Sequence, residues 1–289
     1  MLIKEVSKLT KLTKKAIEYY TAQGLVSPAI LENGYRDYSK QDIEKLNKIS
    51  VLRKLDIPTE EIHHILKDTT NSALQAVSVK KELDYQRDML KKSMLQKLSQ
   101  GNSYDEINIE LQSIEQSKTI TDKLLDAFPG YYGRFICMHF AQFLNEPIQT
   151  DAQQSAYETI LSFLDNVPIL DIPKDLEEYL IEGTNHIGTK QITEMLEFTK
   201  KSYENPDGFL ADNKEILTRY LEYKQSDEYK NSPAYKLMDL MKKFNVSNGY
   251  NDIFIPAMKQ LSSAYSRYSQ QAEAANKILL EHYPEIEKL

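Results

Sequence analysis

Two short stretches near the N-terminus carry side chains suited to gripping a polyanion. In the first, Thr13-Lys14-Lys15 precedes Ala16-Ile17-Glu18-Tyr19-Tyr20. A threonine before a helical run is a good N-cap, and the first N–H groups of a helix have no intrahelical acceptor, so they face an incoming anion. Lys14 and Lys15 add two positive charges at that same end. In the second, Glu32-Asn33-Gly34-Tyr35-Arg36-Asp37-Tyr38-Ser39, Asn-Gly reads as a tight hairpin turn with Arg36 beside it. Such a wing can reach a phosphate through Arg36, while Tyr35 and Tyr38 pack or donate a hydroxyl to a nucleic-acid backbone.

These residues need elements to hold them. Residues 3–9 predict a short amphipathic helix, and residues 14–21 a second one ending at Gly24. Two helices joined by a short turn, the second of them basic, have the shape of a helix-turn-helix. Ser39 with Asp42 caps a third helix, carrying Ile43, Leu46, Ile49 and Leu52 inward, and Pro58-Thr59 opens a fourth. A long helix follows over residues 72–99, with apolar positions Val79, Leu83, Leu90, Met94 and Leu98 and with Arg87 where a seam residue is expected. At ~1.5 Å per residue it is roughly 42 Å long. A narrow stripe on so long a helix predicts pairing with a second copy in a coiled coil. Ser103 and Glu106 form a capping box for the next helix. Further helices are expected over 131–144, 151–165, 174–200, 212–224, 233–244 and 252–282, and no strand-period run competes with them. The fold class is therefore mainly α, divided as a winged helix-turn-helix at 1–70, a dimerisation helix and linker helix at 71–127, and an all-helical domain at 128–289.

Charge is divided along the chain in the same way. The whole carries a net charge of −7, yet residues 1–54 hold 11 Lys+Arg against 6 Asp+Glu, whereas residues 120–289 hold 17 against 26. The basic segment suits nucleic acid, and the acidic remainder suits another partner. No apolar run reaches the roughly 18 residues of a membrane span, and the N-terminus lacks a signal-peptide pattern, so a cytoplasmic protein with no membrane partner is expected. Cys137 is the single cysteine, and no two of the five histidines have zinc-binding i, i+4 spacing. No metal site and no cofactor are expected. No phosphate loop, Gly-x-Ser-x-Gly or acid/base constellation stands out, so no enzyme is expected either.

The string from Ile3 to Leu66 resembles the mercury-resistance-regulator (MerR) family. The resemblance lies in Tyr19-Tyr20 with Gly24-Leu25-Val26, in Asn33-Gly34-Tyr35-Arg36-x-Tyr38-Ser39, in Leu52-Arg53-x-Leu55-x-Ile57 and in Glu60-Glu61-Ile62, in order and with the family's spacings. It implies that Thr13, Lys14 and Lys15 open a recognition helix in the major groove. It implies backbone contacts from Tyr19 and Tyr20, a wing of Tyr35, Arg36 and Tyr38, and a phosphate contact from Lys54. It also implies a homodimer joined by an antiparallel coiled coil, an activator that acts on RNA polymerase indirectly by distorting double-stranded promoter DNA. Two departures stand out. Glu18 occupies a position where the family usually has Arg, and would pair with Lys14; Asp56 replaces the family's usual Gly.

Beyond residue 128 the chemistry is aromatic. Tyr131, Tyr132, Phe135, His139 and Phe143 lie on α-helical spacings, with Tyr132, Phe135, His139 and Phe143 on one face. Such a wall could stack a small lipophilic or aromatic ligand, which would make the protein a regulator with an effector-binding C-terminal domain. The competing reading of the stripe is the core of a helical bundle. In the alternative for the protein, the helical domain binds a protein partner or only oligomerises.

Overall fold

The computed structural model describes residues 1–288, in two compact units, Met1–Val77 and Ser78–Leu289. The fold is mainly α, with one two-stranded sheet.

In the first unit, α1 (Ile3–Thr10) and α2 (Lys14–Ala22) are followed by β1 (Ala29–Ile30) and β2 (Arg36–Asp37), then α3 (Lys40–Lys54), α4 (Thr59–Lys67) and the start of α5 (Ser72–Ser99). The local chemistry sets each boundary. Thr13 Oγ1 accepts from Ala16 N–H at 3.1 Å and starts α2. Gly24, at φ 71°, ends it: Leu25 N–H donates to Tyr20 C=O and Gly24 N–H to Thr21 C=O, the paired bonds of a Schellman motif. Ser39 and Asp42 form a reciprocal capping box on α3. At the far end of α3, Asp56 takes the left-handed conformation at φ 56°, with Ile57 N–H donating to Leu52 C=O at 3.2 Å. The position where the related family usually has Gly is thus one that calls for Gly, and an L-residue there carries a penalty of about 1 kcal/mol.

β1 and β2 pair antiparallel, Ile30 opposite Arg36. The Asn-Gly tip is one residue longer than the tightest hairpin. Leu31 N–H donates to Tyr35 C=O, leaving Glu32-Asn33-Gly34 as a three-residue loop with Gly34 at φ 79°. Beneath it lies a core that includes Ile17, Leu46, Ile49 and Ile62, each fully buried. Each such side chain contributes roughly 1.5–3 kcal/mol, against about 1 kcal/mol for a cap. The core therefore sets stability, and the caps set where the helices begin.

The second unit takes up the rest of α5 and continues with α6 (Tyr104–Ala127), α7 (Gly130–Ala141), α8 (Asp151–Asn166), α9 (Lys174–Thr184), α10 (Thr189–Glu204), α11 (Pro206–Asp212), α12 (Lys214–Gln225), α13 (Asp227–Lys230), α14 (Pro233–Ser247), a π-helical turn (Tyr250–Phe254), α15 (Ile255–Leu261) and α16 (Ser263–His282). A final 3-10 turn spans Pro284–Lys288. Two expected helices are broken. The 174–200 run is interrupted at Asn185–Gly188, where Gly188 N–H donates to the Gln191 side chain and α10 starts afresh. The 252–282 run breaks at Ser262, buried and accepting from Tyr265 N–H.

Most of the stripe on α5 is covered by its own chain, while Leu90 is 41% exposed. Val79 and Leu83 join the main core of the second unit, and Met94 packs with Ile107 and Ile114 of α6. Lys97 pairs with Glu110 at 2.7 Å. Arg87, buried in the seam, donates to Thr121 Oγ1 at 2.6 Å and to Asp84 at 3.0 Å. A second copy is thus not required to bury these positions, because α6 folds back along α5. Nor does the 71–127 span form a unit of its own: Val77 lies in the first core, while Val79 and α6 belong with the second.

α6 and α7 meet at Phe128-Pro129-Gly130, and there Gly133 of α7 lies against the Phe128 backbone. A Cβ at Gly133 would lie 1.3 Å from the Phe128 carbonyl oxygen and 2.5 Å from its carbon. Neither backbone atom can yield without separating the two helices. Gly133→Ala is expected to destabilise the protein by roughly 3 kcal/mol; an unchanged urea midpoint would disprove the close approach.

Candidate nucleic-acid interface

α2 presents its N-terminus to solvent. Thr13, Lys14 and Lys15 are exposed, and Ile17 on the opposite face is fully buried. Thr13 and its carbonyl accept from Ala16 and Ile17 N–H, so the Lys14 and Lys15 N–H groups are the ones free to meet an anion. On the wing, Tyr35 and Arg36 are exposed, and Asn33 Oδ1 fixes the tip by accepting from Tyr35 N–H at 3.1 Å. Lys54 is exposed in the last turn of α3. Tyr19 is half exposed, with its hydroxyl 3.4 Å from Thr59 Oγ1.

Two predicted contact residues are core residues instead. Tyr20 is 8% exposed and Tyr38 1%. The Tyr38 hydroxyl lies 3.3 Å from Thr21 Oγ1 and ties β2 to α2. Their rings support the basic face from beneath. Glu18 is exposed on α2, and among the described residues it forms no ion pair, with Lys14 or otherwise. The lysine-before-glutamate order is the weaker orientation for an i, i+4 pair, being opposed by the helix dipole.

Residues 1–69 match the family model described as MerR HTH family regulatory protein. The first 69 residues are thus a helix-turn-helix domain of the MerR type. Among relatives of this MerR-type domain, CueR of Escherichia coli, an HTH-type transcriptional regulator, is 42% identical over 62 residues, which are 21% of this chain and 46% of that one. The transcriptional regulator BrlR of Pseudomonas aeruginosa is 36% identical over 70 residues, 24% of this chain and 26% of that one. SkgA of Caulobacter vibrioides, also an HTH-type transcriptional regulator, is 31% identical over 134 residues, 45% of this chain and 47% of that one. The chain thus spans less than half the length of each of these relatives. No solved structure matches the chain.

Behind the MerR-type domain, the aromatic stripe of α7 is a packing face. Phe143 is buried, and Tyr131, Tyr132 and Phe135 pack against the main core of the second unit. Tyr132 meets Phe128 edge to face at 5.8 Å. His139 is surrounded by Phe140, Phe143, Tyr265 and Tyr268, with ring centroids 5.0–6.3 Å away. The expected ligand wall is therefore already filled by aromatic neighbours. An apolar cavity lies elsewhere, among α10, α11, α12 and α16. Arg134, which the sequence did not single out, is fully buried: it donates to Ile187 C=O at 2.8 Å across the α9–α10 break, and its Nε has no partner. No cluster of three or more metal-ligating side chains occurs among the described residues, and no helix is long and apolar enough to cross a membrane.

The exposed charges make a paired prediction. Arg36→Ala should weaken binding to every duplex sequence and flatten the salt dependence by about one unit of log K per log salt. Glu18→Arg should do the reverse. Fluorescence anisotropy from low to moderate salt reads both, and an unchanged slope in either variant would remove that residue from the interface.

His139 gives a second prediction. Burial pushes its pKa below the ordinary 6.5, to about 4. Below pH 6.5 the unfolded chain binds a proton that the folded chain refuses. The stability His139 allows is thus complete above that pH and declines as pH falls toward 4, at about 1.4 kcal/mol per pH unit. His139→Phe should remove this component of the slope. Equal pH dependence of the urea midpoints of parent and variant would show that the imidazole protonates freely in the fold.

Proposed function

We propose that the protein is a DNA-binding transcription regulator that binds promoter DNA as a homodimer and responds to a small organic ligand in its C-terminal unit. The observation that carries the DNA part is the free, doubly basic N-terminus of α2 in the same domain as the exposed wing arginine, with Ile17 and Tyr38 anchoring the two elements in one core. Helix N–H groups and lysines fix the protein on the phosphates, and the first turn of α2 supplies the side chains that read the groove. Thr13, Lys14, Lys15, Tyr19, Tyr35, Arg36 and Lys54 form the proposed contact set.

For the dimer, support comes from apolar side chains that the intramolecular α5–α6 packing leaves outside. Tyr85, Met89 and Leu95 of α5 are 62, 51 and 68% exposed. Side chains of this size are commonly covered by an interface, and a paired regulator reads two half-sites about one helical turn apart. For ligand response, support comes from the apolar cavity in the second unit. For the promoter mechanism, support comes from the likeness of residues 1–69 to MerR-type regulators: DNA is bent or untwisted so that polymerase engages it, without direct contact to every base.

Sedimentation of the full chain tests the dimer. A dimer is expected for the parent, and Met89→Asp with Leu95→Asp should yield a folded monomer with DNA binding weakened at least ten-fold. A parent that sediments as a monomer and binds a single half-site would refute the dimeric reading.

A further inference from the structure

The largely apolar cavity of the second unit has walls whose chemistry selects a ligand. It is half open, about 300 Å³ in volume, and bounded by α10, α11, α12 and α16. Aromatic rings dominate it. Phe198 and Phe209 meet edge to face at 5.0 Å, as do Tyr203 and Tyr268. Ala272 and Ala275 on α16 line it with short side chains. Phe198 remains 54% exposed, an aromatic surface available for a ligand to cover.

The polar groups are few and uncharged: the side chains of Thr199, Ser202, Tyr203, Tyr268 and Asn276. No Lys, Arg, Asp or Glu is among the lining side chains. The Thr199 and Ser202 hydroxyls donate to backbone carbonyls of their own helix, at 2.9 and 2.6 Å. Among the described residues, the hydroxyls of Tyr203 and Tyr268 have no hydrogen-bond partner. Burial raises the pKa of both, so they remain protonated donors at neutral pH.

Resting on the reading of the second unit as a ligand sensor, we propose that this cavity binds an uncharged, flat aromatic compound of two or three rings that accepts a hydrogen bond from Tyr203 or Tyr268. Size follows from the volume, which lies at the small end of ligand pockets. Flatness follows from the two ring pairs and from the short alanine side chains of α16 beside Tyr268. Neutrality follows because a charged ligand would lose its water without meeting a counter-charge in the walls. The free donors select an acceptor such as a ketone.

Flavone, which is neutral and flat with one ketone oxygen, is the probe, compared with ethidium and anthracene-9-carboxylate as charged aromatic rings. Calorimetry on the full chain should show flavone binding and at least ten-fold weaker binding of both ions. Ala275→Phe fills the cavity from the helix surface and should weaken flavone at least ten-fold, with circular dichroism and DNA binding unchanged; Leu217→Trp does the same from α12 should the first variant misfold. Tyr203→Phe and Tyr268→Phe separate the two donors: loss of one should weaken flavone several-fold. No flavone binding, tighter binding of either ion, or undiminished binding in the filled variant overturns the proposal. A promoter-transcription assay separates the two levels. Flavone that binds as expected but leaves transcription unchanged refutes the sensor reading and leaves the site. An aromatic compound that shifts transcription equally in parent and Ala275→Phe leaves the sensor reading and removes this site.

Discussion

The second unit depends on α6 folding back along α5. That single packing decision buries Met94 against Ile107 and Ile114 and shields Arg87 beside Thr121. It also carries Ile120 and Leu124 into the main core, where α7 and α8 assemble. An arginine in an apolar seam is costly unless its donors are satisfied. Here Asp84 and Thr121 accept from it. Arg87 thereby fixes the register of the two helices, since a shift of one turn would separate it from Thr121 while leaving the guanidinium buried. From the sequence, Arg87 reads as a flaw in a coiled-coil stripe; in the fold it is the position that prevents slippage.

The features legible in the sequence were local. Thr13, Ser39 and Ser103 act within three residues, so their side chains announce the helices they cap. Gly24 and Gly34 mark left-handed positions for the same reason. The breaks at Asn185–Gly188 and Ser262 also carry local caps, but neither contains a proline to force a stop, and each is held in addition by a side chain distant in sequence: Arg134 donates to Ile187 C=O and Gln153 to Leu261 C=O. The burial of Tyr20 and Tyr38 was hidden by the amphipathic nature of tyrosine, which reads equally well as a contact or as core.

The aromatic region shows how far periodicity carries. The face shared by Tyr132, Phe135, His139 and Phe143 is real, but a helix face does not say what covers it. α16 does, by supplying Tyr265 and Tyr268 to the same cluster. Tyr268 reaches both regions: it meets His139 edge to face and also lines the open cavity with Tyr203. The filled cluster holds one side of that tyrosine rigid, and the cavity uses the other. No spacing pattern reveals this, because three consecutive helices and the distant α16 together form the cavity's walls.

The charge division has a consequence for binding. Electrostatic attraction to DNA acts over about 8 Å at physiological salt, so the whole-chain balance of −7 says little about the face that meets phosphate. What counts is the local set of Lys14, Lys15, Arg36 and Lys54, from which the exposed Glu18 subtracts. Such a face holds DNA with fewer counterions released than a fully basic one, so its affinity falls less steeply with salt and weak non-specific binding is reduced first. The excess of acidic residues over 120–289 acts in the same direction, repelling phosphate wherever that surface approaches it. On the proposed function, a regulator built in this way would give up affinity for arbitrary DNA and depend more on groove contacts and duplex deformation to hold its own site.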